Sequence, residues 1–329
     1  MQILFGSHDF FTFLMMRPVA EALLEDDNDV VIASAGITIE KWKEWAVSGN
    51  GPAWAKEGRI HLLPSFPSDQ AIRKSSYVVV GTATTPEHER ALLEKAWSFK
   101  IPTAILVDVP GGHRRLGINL ALTNHFLVAD EATKKEVLRD YPGATITTVG
   151  SPAVKKLACN QEAVKTLDGK KLVQWIGSTD TKDLEIVVGI MEQFLPDHHL
   201  FFSLHPDPAK RPPGKTVEAA IASIKDRLIY DLPGGMEAAM MEAEYVFGGF
   251  SLALNLALYN GRRVISIETP TNVEAARAAF PGVNQFPLVK IGATPLITRP
   301  VDPVKLDYSG SYVTLSPYDT SLVIQVLKS

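Results

Sequence analysis

The chain has 329 residues, of which 46% are hydrophobic and 21% charged, and its formal net charge at pH 7 is −4. This composition is typical of a globular protein with room for two domains, and it excludes a mainly disordered chain. The sequence has no basic block, which argues against nucleic acid as the main partner. The single cysteine, Cys159, excludes an internal disulfide bond and a cysteine-rich metal site.

The chain enters an apolar strand directly at its start, without the basic segment and cleavage site of a secretory signal. No apolar run approaches the roughly 18 residues that a membrane-spanning helix requires. We therefore expect a cytoplasmic protein without a transmembrane segment. The apolar pair Met15 and Met16, and the aromatic loop, could form the interface of a homodimer. Trp42, Trp45 and Trp54 around that loop fit core and rim packing better than a platform for a sugar or lipid.

Apolar strands and helices alternate through the first half of the chain. Strands are predicted at residues 3–5, 30–33, 60–63, 77–80, 103–107, 125–128 and 146–149. Helices are predicted at residues 14–24, 86–99 and 130–139, with another that contains Trp42. Since helices connect successive strands, the strands should be parallel.

The same alternation starts again in the second half. Strands are predicted at residues 172–176, 200–204, 228–230, 245–247 and 264–267, with helices at 154–167, 182–194, 235–242, 273–279 and 316–327. The chain should therefore form two doubly wound Rossmann-like α/β domains, residues 1–150 and 151–329, that face a cleft. The last helix, residues 316–327, could pack back. Ligands bind beyond the carboxyl ends of such strands, so polar residues at those ends should line the cleft.

One segment carries the strongest functional signal. A short apolar strand from Tyr245 breaks at Gly248, Gly249, Phe250 and Ser251 and continues as an apolar helix of about three turns. The unpaired N–H groups at the start of a helix, with the positive end of its dipole, can hold a phosphate when no side chain blocks the approach. The segment therefore predicts a diphosphate cradle. The competing interpretation is a tight turn that needs glycine only for its backbone angles.

Three side chains in loops that follow predicted strands could take a proton from an acceptor hydroxyl: His8, Asp108 and His113. Histidine suits this role near neutral pH, and Gly111 and Gly112 could let a ligand approach His113. The alternative for the two histidines is that they only cap neighbouring helices.

Other candidates could contact a nucleotide sugar. Ser178 and Thr179 follow a glycine at a predicted helix start, and His205 ends a strand, so all three could donate to phosphate oxygens. Glu268, at another strand end, could accept a ribose or sugar hydroxyl. The alternatives are helix capping, a turn-fixing histidine and a solvated loop acid.

Two further patterns concern charge and metals. Arg114 and Arg115 could bind an anion as a fork, or they could be solvated surface residues. The sequence has no Asp-x-Asp motif at a strand end and no His-x-x-x-His pair. We therefore expect chemistry that does not need a metal ion.

The order of elements resembles the GT-B fold of the two-Rossmann-domain glycosyltransferase superfamily, and within it the UDP-N-acetylglucosamine 2-epimerase branch. The likeness lies in four segments: residues 5–8 with 16–23, residues 123–133 with 148–152, residues 205–208, and residues 248–251. They are similar, in that order, to the family's first loop and helix, its domain-crossing stretch, its His-Pro-Asn-Pro strand end and its Ser-Gly-Gly phosphate turn. The resemblance implies a nucleotide-sugar site in the second domain, with Asp231 near base and ribose, and an acceptor side in the first domain.

The sequence also departs from the epimerase pattern. That pattern has a glutamine and paired glutamates after the glycine turn, whereas residues 252–256 here contain one polar residue, Asn255. Residues 110–115 replace the family's His-Val-Glu-Ala-Gly loop. We therefore expect a glycosyltransferase that uses a UDP-type nucleotide sugar and an unidentified acceptor, with no separate cofactor. A UDP-sugar epimerase or hydrolase and a non-catalytic GT-B-like binding module remain the alternatives.

Overall fold

A computed structural model describes residues 1–7, 10–34, 38–47, 59–63, 66–83, 86–177, 181–204, 211–249, 252–279, 292–313 and 315–329. The chain divides into two compact units. Unit 1 comprises Met1–Pro152, Ala279–Val283 and Ser316–Ser329, and unit 2 comprises Ala153–Ala278 and Asn284–Leu315. Within the described ranges, no helix is both long enough and apolar enough to span a bilayer.

Unit 1 is built on a parallel sheet whose central strands are buried on both faces. Its strands are β1 (Gln2–Ser7), β2 (Asp29–Ser34), β3 (Ile60–Leu63), β4 (Tyr77–Val80), β5 (Thr103–Val107), β6 (His125–Val128) and β7 (Ile146–Thr148). Their order across the sheet is β3-β2-β1-β4-β5-β6-β7, with every described pairing parallel. This extends the Rossmann strand order by one strand.

Helices cover both faces of this sheet, which explains why its central strands are almost continuously apolar. They are α1 (Phe10–Glu25), α2 (Thr38–Val47), α3 (Asp69–Lys74), α4 (Glu87–Ser98) and α5 (Glu131–Asp140). Met15, Met16 and Trp42 are at most 1% exposed in the core of the unit. Burial makes Met15 and Met16 core residues rather than the interface that the sequence suggested, and it places Trp42 in the core, as the packing interpretation of the tryptophans predicts.

Unit 2 repeats the same design with a smaller main sheet of six strands. Its strands are β8 (Lys171–Ile176), β9 (His198–Ser203), β10 (Leu228–Ile229), β11 (Ala243–Gly248), β12 (Arg263–Ile267), the short β13 (Gly292–Ala293), β14 (Leu296–Ile297) and β15 (Tyr312–Val313). The main sheet has the order β10-β9-β8-β11-β12-β14 and parallel pairings, and β13 pairs antiparallel with β15. The prediction of two doubly wound α/β sheets is confirmed.

The connecting helices of unit 2 are α6 (Gln161–Leu167), α7 (Lys182–Gln193), α8 (Gly214–Ala220), α9 (Gly235–Glu242), α10 (Leu252–Tyr259) and α11 (Pro270–Ala279). Helix α10 has 8 residues, so it makes about two turns rather than the three expected. The helix predicted from residue 154 begins only at Gln161. The preceding segment instead crosses the end of α10, where Asn260 accepts from the Leu157 N–H at 2.9 Å and donates to the Lys155 carbonyl at 2.9 Å.

The chain ends in α12 (Thr320–Lys328), which lies in unit 1 and packs on α1. Asp319 caps the start of this helix by accepting from the Ser321 and Leu322 N–H groups. The Asp319 N–H donates to the Val149 carbonyl at 2.7 Å, and the Ser151 N–H donates to the Ser316 carbonyl at 2.8 Å. These bonds fix the C-terminal segment beside the end of β7.

Candidate functional site

The switch point of the second sheet lies between β8 and β11. From β8 the chain passes through α7 to β9, toward one edge of the sheet. From β11 it passes through α10 to β12, toward the opposite edge. Both strands end in glycines there, at Gly177 and at Gly248 with Gly249. A Cβ on Gly248 would lie 3.1 Å from the Ile176 carbonyl oxygen, so the two strand ends approach closely. Ligands of doubly wound sheets bind beyond this point.

Gly249 is packed against the start of α11. A Cβ at this position would overlap Asn272 Nδ2 and would lie 2.7 Å from Asn272 Cγ. Asn272 is 2% exposed, and its Nδ2 donates to the Ile267 carbonyl at 3.3 Å. The glycine therefore has a structural reason beyond ligand access, one that only the folded neighbour reveals.

Helix α10 starts at the switch point with an apolar face. Leu254, Leu256 and Ala257 pack in a core with Val246 and Val264. The helix contains no acidic residue. Because α10 packs against the sheet, its residues are mostly apolar. This packing explains why the residues after the glycine turn are not polar.

Two predicted carboxylates lie at carboxyl ends of unit 2 strands. Glu268 follows β12 and is half-buried, with its N–H donating to the Ile297 carbonyl at 2.9 Å. Asp231 lies two residues beyond β10 and is exposed. Within the described part of the chain, neither carboxylate has a hydrogen-bond or ion-pair partner. Both are therefore open to a ligand.

In unit 1, Asp108 lies at the carboxyl end of β5 in a small polar cluster. Its Oδ1 accepts from Thr82 Oγ1 at 2.8 Å and lies 3.8 Å from Arg115 Nη1. Arg115 also donates to the Thr82 carbonyl at 2.9 Å. A Cβ on Gly112 would lie 3.2 Å from Thr82 Oγ1 and 3.3 Å from Asp108 Oδ1, so this glycine permits the cluster to close. Sequence reasoning missed Thr82 and Arg115 as neighbours of Asp108.

His113 lies in a different cluster. It is 1% exposed, and its Nε2 is 2.7 Å from Asp140 Oδ2. Because the carboxylate can only accept, Nε2 carries the proton in the neutral ring. Burial lowers the pKa of His113, and the bond to Asp140 opposes that shift. Asp140 is the last residue of α5, so His113 is held at the C-terminal end of that helix.

Arg114 and Arg115 are adjacent in the sequence, but their side chains belong to different clusters. Arg114 donates through Nε to Asp140 Oδ2 at 2.6 Å and through Nη2 to Glu136 at 2.7 Å. Burial alone would raise the pKa of Asp140, but the bonds from Arg114 and His113 outweigh it and lower that pKa to about 2. Arg114 is thus paired with carboxylates while Arg115 lies beside Asp108 and Thr82, so the two do not form one anion fork.

Six predicted site residues lie outside the described residues: His8, Ser178, Thr179, His205, Phe250 and Ser251. Across the described ranges, no group of three or more His, Cys, Asp or Glu side chains could hold a metal ion.

No protein-family model matches the sequence, and no curated protein matches it either. Solved structures match its fold. The UDP-GlcNAc 2-epimerase of Methanocaldococcus jannaschii is 14% identical, with a TM-score of 0.62 over 100% of this chain and 99% of that chain. The UDP-GlcNAc 2-epimerase of Neisseria meningitidis, bound to UDP-GlcNAc, is 14% identical, with a TM-score of 0.57 over 100% of both chains. MurG of Acinetobacter baumannii is 12% identical, with a TM-score of 0.54 over 100% of this chain and 91% of that chain.

The chain has the GT-B fold. These structures confirm the predicted fold.

Proposed function

We propose that this GT-B protein binds a nucleotide sugar, of the UDP type, beyond the carboxyl ends of β8 and β11 and transfers the sugar to an acceptor. One observation carries the proposal: the Gly248-Gly249 turn lies at the switch point of a sheet with Rossmann strand order and leads into α10. Helix starts in this position favour phosphate. The Neisseria meningitidis structure of the same fold, which holds UDP-GlcNAc, supports the choice of ligand.

The residues of unit 2 have complementary roles in this proposal. The N–H groups at the start of α10 would hold the diphosphate, and the further contacts proposed from the sequence are Phe250, Ser251, Ser178, Thr179 and His205. Glu268 and Asp231 would accept hydrogen bonds from hydroxyl groups of the ligand, because neither carboxylate has a hydrogen-bond or ion-pair partner in the described chain. The sugar–phosphate bond breaks, the acceptor oxygen bonds to the anomeric carbon, and UDP leaves.

The proton of the acceptor hydroxyl passes to a base. Asp108 suits this role better than His113, because it lies at a strand carboxyl end while His113 is buried on Asp140. His8 remains the third candidate. We expect Asp108→Asn to retain nucleotide affinity and to lose turnover by at least about 100-fold, a common effect of removing a general base.

Epimerisation is the second candidate, because several structures with this fold are UDP-GlcNAc 2-epimerases. Elimination and re-addition of the diphosphate require acids and bases close to the sugar. Helix α10 provides no carboxylate after the glycine turn. Transfer therefore remains the better fit.

Binding is tested first, by thermal shift and calorimetry with UDP, UDP-GlcNAc, GDP, CDP and dTDP. A ligand at 100 times its Kd should stabilise the protein by about 2.7 kcal/mol. If no nucleotide binds, the proposal is wrong. The reaction is then assigned from UDP release: release that depends on an added acceptor supports transfer, and release or sugar inversion without acceptor supports the epimerase or hydrolase. Binding with neither outcome indicates a non-catalytic module.

A further inference from the structure

A short 3-10 helix, Gly112–Leu116, lies between the two polar clusters of unit 1. A glycine in the left-handed conformation stands at each end of it, Gly111 with a φ of 76° and Gly117 with a φ of 64°. Glycine adopts this conformation without steric cost, so the chain can change direction at both ends of the helix. The orientation of this short element is therefore set by the contacts of its own residues.

The 3-10 helix presents its side chains to both clusters. Consecutive residues of such a helix point about 120° apart, because each turn contains three residues. On one side, Asp140 Oδ2 accepts from His113 Nε2 at 2.7 Å and from Arg114 Nε at 2.6 Å. On the other side, Arg115 Nη1 lies 3.8 Å from Asp108 Oδ1. One five-residue element thus joins an anchor on α5 to a cation beside the proposed base.

The anchor on α5 explains why a histidine is buried in this helix. His113 is 1% exposed, and its Nδ1 has no hydrogen-bond partner in the described chain. An apolar residue would fill the same space without leaving a buried nitrogen unpaired. The bond from Nε2 to Asp140 is what an apolar residue could not make, so this bond accounts for the histidine.

A second contact holds the end of the 3-10 helix. Leu116 is fully buried, and its carbonyl accepts from Arg90 Nε at 2.8 Å. With that end fixed, the bonds to Asp140 set the rotation of the helix, and the rotation decides where Arg115 lies.

We propose that Asp140 is a positioning residue that acts through the 3-10 helix and keeps Arg115 beside Asp108. The inference rests on the proposed function, in which Asp108 is the favoured base. A guanidinium close to a carboxylate favours its ionised form, and only that form can take the acceptor proton. Arg115 also donates to the carbonyl of Thr82, whose hydroxyl donates to Asp108, so a shift of Arg115 reaches the carboxylate through Thr82 as well.

A double-mutant cycle of Asp140→Ala and Arg115→Ala tests this role, with UDP release from UDP-GlcNAc measured under the conditions in which the wild type turns over. We expect Asp140→Ala to lower kcat about tenfold, which is about 1.4 kcal/mol, and to leave KM unchanged, because the proposed nucleotide-sugar site is in unit 2. In the Arg115→Ala background the same substitution should lower kcat less than about twofold, since the cation that it positions is absent. Equal losses of kcat in both backgrounds would overturn the inference.

The matched control is an acidic residue of the same helix that does not contact the 3-10 helix. The Glu131 side chain is 66% exposed and pairs with Lys134 and Thr148. Glu131→Ala should therefore keep the kcat of the wild type. Asp140→Asn retains an acceptor oxygen and should fall between Asp140→Ala and the wild type.

Thermal unfolding of the same four proteins provides a readout that needs no activity. Arg115→Ala should lower the melting temperature of the wild type, because its bond to the Thr82 carbonyl is lost. In the Asp140→Ala background it should lower the melting temperature less, because that bond is already disturbed. If the wild type shows no turnover, the proposed function fails, and the melting temperatures decide the positioning role alone. Equal losses in both backgrounds would then overturn it.

Discussion

Asp140 is the residue around which the ion cluster of unit 1 is arranged. It accepts from His113 and Arg114 in bonds of 2.7 and 2.6 Å, and its pKa is lowered to about 2. A carboxyl with a lowered pKa stabilises the fold fully above the pKa of an unfolded aspartate, about 3.9. That stabilisation is lost as the pH falls toward the folded value. The cluster therefore ties the stability of unit 1 to pH.

We expect Asp140→Asn to lower the free energy of unfolding by about 1 kcal/mol at pH 7. This is less than the full value of the pKa change, because solvent screens a side chain that is 27% exposed. The difference from the wild type should narrow between pH 5 and pH 3. Denaturant unfolding at these pH values measures it.

The same substitution at an exposed position is the control for this pH dependence. Asp29 begins β2 and is exposed, so Asp29→Asn should follow the wild type at every pH. If the difference in free energy of unfolding between Asp140→Asn and the wild type stays constant from pH 7 to pH 3, the charge of the carboxylate is not the cause of that difference. If both variants differ from the wild type in free energy of unfolding, the cause is the change in net charge.

At the scale of elements, the segment β11–turn–α10 combines a packing constraint with a proposed binding role. A Cβ on Gly249 would overlap Asn272 Nδ2, at the first turn of α11. We expect Gly249→Ala to destabilise the protein by about 1–3 kcal/mol, the usual cost of overpacking, and to weaken UDP binding. Thermal unfolding and calorimetry measure the two effects.

A double variant separates them. Gly249→Ala with Asn272→Ala removes the overlapping side chain, so stability should recover relative to Gly249→Ala alone. UDP affinity should stay below that of Asn272→Ala, because the added methyl group still obstructs the approach to the helix start. Equal UDP affinity in these two variants would mean that Gly249 serves only the packing of Asn272. Gly214→Ala is the matched control, since a Cβ there meets nothing within 4 Å.

The sequence predicted the elements wherever local signals were strong. Strands such as residues 103–107 were found with their observed bounds, because apolar runs end at clear turn residues. Helix α3 and the short β14 were missed, since six and two residues carry little periodicity. The start of α6 was misplaced because Asn260, about 100 positions away in the chain, binds the segment before it.

In the candidate site, too, local patterns predicted some residues, and contacts between distant parts of the chain decided the rest. The glycine turn and Asp108 were visible as residues at strand ends, which alternating strands and helices make predictable. The contact of Asp108 with Thr82, the burial of His113 on Asp140 and the contact of Gly249 with Asn272 depend on pairs that are 23 or more positions apart. Local patterns carry no information on such pairs.

At the scale of the whole molecule, α12 belongs to unit 1 although unit 2 precedes it in the chain. Val323 and Leu327, at most 4% exposed, pack in the core of unit 1. We expect the double variant Val323→Ala/Leu327→Ala to lose at least about 2 kcal/mol, because each truncation leaves a cavity. Hydrogen exchange should show about 30-fold less protection in β1 and α1, and unchanged protection in β8 and β11. Gln325→Ala, exposed in the same helix, is the control and should change neither. Loss of protection in β8 and β11 alone would contradict the assignment of α12 to unit 1.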